Sequence, residues 1–113
     1  MATNQYKFYG TTLTTTDVTT LLTPSAAGAG AVETFIIKSF RVTNNTGNTP
    51  TITITNNDIN IVKTQTLAAN TSTEILTLPL IVESSKSIKV TMSSTDSVSI
   101  GISYLNITQE VTV

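Results

Sequence analysis

Cysteine, histidine and tryptophan are absent from this 113-residue chain. Without cysteine there is neither a disulfide framework nor a thiolate metal site. Without histidine the commonest general base is missing, so a Ser or Thr nucleophile would have to rely on scattered lysines and carboxylates. Charge is scarce too: 12% of residues are Asp, Glu, Lys or Arg, against ~25% in ordinary soluble domains. Six basic and seven acidic residues leave a net charge of −1 with no block of either sign. No basic stripe for nucleic acid results. Long apolar runs are also missing. The strongly apolar stretch Leu78–Val82, with Pro79 inside it, is five residues long, far below the ~20 residues of a membrane-spanning helix. Met1-Ala2-Thr3-Asn4-Gln5 shows no charged region leading into an apolar one, so we expect a protein made and folded in a cytoplasm.

Thr, Ile and Val together supply 46 residues. Branching at Cβ stiffens these side chains and suits a pleated sheet better than a helix. Apolar residues never recur at helical spacing over a helix-length window, so the chain is expected to be all-β. Its length fits one domain with one modest core. Thr, Ser and Asn make up the polar surface, which is uncharged but rich in hydrogen-bonding groups: it either suits packing against other subunits or is simply a Thr-rich β surface in water.

The clearest pattern runs from Ser87 to Tyr104. Ile88, Val90 and Met92 alternate with polar residues, Ser94-Thr95-Asp96 interrupts, and Val98, Ile100 and Ile102 resume the alternation. This spacing predicts an antiparallel hairpin with one buried face. Such a face needs a second layer. Upstream, Leu13 and Val18 have opposite parity, which predicts a turn near Asp17 and a strand over 18–22. Pro24 to Ala31 is a loop of small residues. In the strand from Glu33 to Thr43, a bulge at Lys38-Ser39 would turn Ile37 inward beside Phe40 and Val42 and send Lys38 out. Asn44–Asn48 and Asn56-Asn57-Asp58 read as turns, with strands over 51–55 and from Ile59 to about Thr66. A further strand runs from Thr73 to Leu78. Pro79 cannot donate to a ladder, which predicts that the chain crosses between sheets there. After Tyr104 the apolar parity shifts to Leu105 and Ile107, and residues 109–113 form a tail. The expected fold is a single antiparallel β-sandwich of seven to eight strands, Ig-like or jelly-roll. An extended N-terminal arm and loop would occupy residues 1–32, and the sandwich 33–113, with 18–22 adding a strand.

No catalytic or metal-ligating constellation stands out, and no cofactor is expected. The seven carboxylates sit singly, mostly at strand ends and turns. Asn56-x-Asp58-x-Asn60 mimics the start of a calcium loop, but Ile61 and Leu67 replace its glycine and closing glutamate. The Asn-x-Ser/Thr sequons at Asn44, Asn70 and Asn106 are about as many as chance supplies in a chain one-third Ser plus Thr. Tyr6, Phe8 and Tyr9 cluster near the N-terminus. They are either an anchor packing the first strand onto the sandwich or a small stacking platform for carbohydrate.

Four segments carry a family resemblance: Ile37–Gly47, Leu78–Glu83, Ser87–Val90 and Ile102–Ile107. A strand ending in Thr43-Asn44, a Pro-Leu-hydrophobic strand, a tight turn and a closing Ser103-Tyr104-Leu105 strand together resemble small β-sandwich virion proteins of tailed bacteriophages. Over roughly residues 33–108 the pattern holds, departing at Ser84-Ser85-Lys86, where those proteins often carry Ala-Gly-Asp. The resemblance implies a non-enzymatic virion component that decorates capsids, joins neck and tail, or forms part of the tail. A capsid decoration or cement protein, working as a homo-oligomer on the major capsid protein, is the first expectation. Nucleic-acid and membrane partners are not expected. The contact candidates are Tyr6, Phe8, Tyr9, Leu13, Ile81 and Val82, with the residues before Glu33 as an arm across a neighbour. The rival from another class is a carbohydrate-binding sandwich module, and a small hydrolase stands third.

Overall fold

Nine strands organise the computed structural model, which describes residues 2–26, 31–76 and 78–110. They are β1 (Ala2–Leu13), β2 (Thr19–Leu22), β3 (Ala31–Asn44), β4 (Thr51–Asn56), β5 (Ile59–Thr66), β6 (Ser72–Glu74), β7 (Leu80–Val82), β8 (Ile88–Met92) and β9 (Val98–Glu110). Asn57 and Asp58 both have positive φ, 53° and 61°, which closes a two-residue turn between β4 and β5 of the kind that matches strand twist. Asn and Asp tolerate this left-handed region better than other non-glycine residues.

From that turn the chain unrolls as one long hairpin. β4 pairs with β5, β3 with β6 and β7, β2 with β8, and β1 with β9, all antiparallel. Rolling the hairpin up brings β9 beside β3 and β8 beside β4. The result is a sheet of order β1-β9-β3-β6, with β7 also on β3, facing a sheet of order β2-β8-β4-β5. With β6 and β7 counted as one interrupted strand, this is the jelly-roll order. The molecule is elongated, 53 × 22 × 20 Å.

Four expectations change. β8 and β9 do not form a hairpin: they lie in different sheets, and the chain crosses at 93–97. Alternation fixes which face of a strand is buried, not which strand lies beside it. Ile88, Val90 and Met92 therefore meet Val98, Ile100 and Ile102 across the core, where all six are buried. Pro79 is not a crossing either. β6 and β7 both pair with β3 as two separate short strands, which raises the strand count to nine. Residues 2–13 are an integral strand of the sandwich and not an arm, because they pair with β9 without a register shift. Finally, β9 keeps one parity throughout. Tyr104 and Asn106 continue the buried face, while Leu105 and Ile107 point outward. The small-residue loop lies partly, and the last three residues of the tail wholly, outside the described residues.

The bulge in β3 forms where the pattern requires it. Pairing with β9 shifts register between Ile37 and Ser39, Lys38 is exposed, and Ile37, Phe40 and Val42 are each 0% accessible. Without the extra residue, Phe35 and Ile37 would lie opposite in face to Phe40 and Val42. Glu74 braces the bulge from β6, accepting hydrogen bonds from the Phe40 backbone N–H at 2.6 Å and the Ser39 hydroxyl at 2.5 Å.

Candidate functional site

The central strands β3 and β9 of the five-stranded sheet bury alternate side chains, so their remaining side chains, with those of like register on the flanking strands, build an outer face. On that face the registers align four residues in one row. Tyr6 lies opposite Leu105, Leu105 opposite Ile36, and Ile36 opposite Ile81. Directly opposed residues share a face, so an apolar row crosses the sheet from the β1 edge to the β7 edge, about 15 Å at the usual strand spacing. Tyr6 is 75% exposed and Ile81 57%, with Leu105 and Ile36 half-buried between them. Beyond Ile81 the surface turns to Ile59, itself 67% exposed. The two isoleucines line a small cleft with Asn56, Asn57, Glu83 and Lys86.

Two rows along the strands, the same face forms a groove of about 410 Å³. Its floor is Gly101, whose cross-strand partner is Gly10. Phe8 lies over this pair: a Cβ at Gly10 would come within 2.9 Å of its ring, and one at Gly101 within 3.2 Å. The aromatic ring thus takes the space that two side chains would fill. Arg41 stands across the floor, opposite Gly101 in register, and Ser39, Thr43, Ser99 and Ser103 supply hydroxyls around it. Glu74 is the register partner of Arg41. Partial burial raises the Glu74 pKa, but the hydrogen bonds from Ser39 and Phe40, with Arg41 nearby, hold it below the ordinary glutamate value.

The inner face turns polar at the far end of β9. Asn106 is buried and donates to the Glu33 carboxylate at 2.8 Å. That carboxylate also accepts from the Ser25 backbone N–H at 3.0 Å. Burial pushes Glu33 upward, and these bonds together with the Lys7 charge bring it below its usual value. Tyr104 moves the other way, raised by burial and then by the neighbouring Glu33 charge. These contacts close the core beneath the 23–26 segment. Among the described residues no three acidic side chains gather as a metal site would require.

The six contact candidates divide. Tyr6, Phe8 and Ile81 occupy the outer face, two of them in the row and Phe8 beside it. Leu13 at 6% and Val82 at 0% exposure belong to the core, because their parity is that of the inward face and the strands they flank cover them. Tyr9 is half-buried against the core, so it does not share a platform with Tyr6 and Phe8. Sequence reading missed Ile36 and Leu105 as members of the row. Their signal was there, since each has the opposite parity to the core residues of its own strand. Leu78, 76% exposed, and Val18, 64% exposed, stand apart on loops. No protein-family model and no curated protein matches this chain.

Proposed function

We propose that this chain is a non-enzymatic structural protein of a tailed-phage particle, a head decoration protein that holds coat subunits together and works as a homo-oligomer. The observation that carries the reading is the row Tyr6, Leu105, Ile36 and Ile81 on an outer sheet face, which alternation would normally leave polar. Covering such a row removes apolar surface from water, worth roughly 25 cal/mol per Å². A contact repeated over many copies then raises the barrier to opening the particle. The resemblance of Ile37–Gly47, Leu78–Glu83 and Ile102–Ile107 to phage virion proteins supports the same assignment. The jelly roll is shared by capsid proteins and lectins alike, so it is compatible with the reading and does not decide it. The test is co-sedimentation with phage heads. Tyr6→Ser combined with Ile81→Ser should reduce head binding at least tenfold with unchanged thermal stability. Binding at the wild-type level by a folded double variant would end the proposal.

One observation favours a second reading. The groove of Phe8, Gly101 and Arg41 joins an aromatic ring, a cation and several hydroxyls above a glycine floor, the combination that stacks on and hydrogen-bonds a sugar ring. Glycan-array binding abolished by both Phe8→Ala and Arg41→Ala would favour a carbohydrate-binding module over a decoration protein.

A further inference from the structure

The edges of the two sheets are not alike. β6 and β7 are three residues each, β2 has four residues and a register shift, and β5 breaks register twice against β4. Short or bulged edges resist pairing with another chain. β1 has neither protection. It runs for 12 residues without proline, keeps one register with β9 throughout, and carries a single charge, Lys7. It pairs with β9 alone, and among the described residues no other backbone hydrogen bond reaches it.

The direction of its free groups follows from β9. The Asn45 N–H donates to the Ser97 carbonyl at 3.0 Å, one step beyond the Asn44 and Val98 pair. Backbone groups alternate sides along an antiparallel strand. Odd-numbered residues of β9 therefore face β3, and even-numbered ones face β1. Through the β1 register, the N–H and C=O groups of Asn4, Tyr6, Phe8, Gly10 and Thr12 point out of the sheet edge. These are also the residues whose side chains stand on the outer face.

We infer that this edge pairs antiparallel with the same edge of a second copy, Phe8 opposite Phe8 across a two-fold axis. Two registers use eleven residues of β1. One sets Lys7 against Lys7, a like-charge pair at close range. The other sets Lys7 against Tyr9, Asn4 against Thr12 and, on the outer face, Tyr6 against Gly10. The second register avoids the charge clash and lays an aromatic ring beside the glycine of the other copy. It gathers Tyr6 and Phe8 of both copies around the axis and joins two five-stranded sheets into one. The interface gives the proposed homo-oligomer its contact, and it rests on that self-association but not on the particle assignment. Particle binding is read by co-sedimentation with heads, and self-association by the chain alone.

The experiment uses sedimentation equilibrium of the full chain and of Phe8→Lys, with circular dichroism as the check on folding. The wild type should be a dimer, and Phe8→Lys should dissociate at least tenfold more readily while keeping the β spectrum. Because the chain has no cysteine, register is read by mixing two exposed single variants, Asn4→Cys and Thr12→Cys, under mild oxidation. The heterodisulfide should exceed each homodisulfide by clearly more than the two-fold excess that random pairing of equal amounts gives. A monomeric wild type, a folded Phe8→Lys dimer as tight as wild type, or cross-links without preference for the mixed pair would each overturn the inference.

Discussion

The Glu74 carboxylate accepts the backbone N–H of Phe40 at 2.6 Å, so a side chain from the shortest part of the sheet holds the residue that restores core parity after the bulge. Removing it leaves that N–H and the Ser39 hydroxyl without their acceptor. Glu74→Ala should cost about 1–2 kcal/mol, at the lower end because the carboxylate is partly solvated. Urea denaturation at neutral pH measures this.

The same carboxylate makes stability depend on acid. Its folded-state pKa lies below the unfolded one, so its contribution is fully present above the unfolded value and is lost as pH falls through the folded one. Glu33 has the same sign. Wild-type stability should therefore decline below about pH 4.5, the ordinary glutamate range. Glu74→Gln should show a shallower decline than wild type over that interval. Equal slopes in urea titrations at several acidic pH values would contradict the assignment.

Lys38 separates the role of a residue from the role of its side chain. Lys38→Ala keeps the bulge and should change stability by no more than about 0.5 kcal/mol, as exposed positions do. Deleting Lys38 removes the extra residue. Either Phe35 and Ile37 or Phe40 and Val42 must then face outward. The deletion variant should fail to give a cooperative unfolding transition by circular dichroism.

Asn44 is 1% exposed and fully bonded. Its amide donates to the carbonyls of Asn48, Ala68 and Leu67 at 2.7, 3.2 and 3.4 Å, and its oxygen accepts from the Thr46 N–H and hydroxyl at 3.0 and 2.8 Å. One side chain ties the end of β3 to two loops. Asn44→Ala should cost about 2–4 kcal/mol. Asn44→Asp should be at least as harmful, because a carboxylate cannot donate to three carbonyls. Chemical denaturation of both variants tests the order.

Much of this fold is legible in the order of residues. The bulge at Lys38-Ser39 follows from the parity conflict between Ile37 and Phe40, and the Asn57-Asp58 turn from two residues that accept positive φ. Strand partners are not legible. Ser87–Tyr104 satisfies every local rule for a hairpin, yet its halves lie in opposite sheets, because alternation records burial and not neighbours. The outer row escaped for a related reason: Tyr6, Leu105, Ile36 and Ile81 come from four strands and meet only through register. Leu13 and Val82 show the converse. Each looks spare along the chain, and each is core once the second sheet covers it.

We propose that the outer face of the five-stranded sheet joins this protein to a virus particle. Mass spectrometry of gradient-purified particles from the source culture, with quantified peptides of this chain, is the decisive measurement. A fixed ratio to the coat protein across the particle peak is the expected result. Particles free of the chain, with the protein remaining in the soluble fraction, would contradict it.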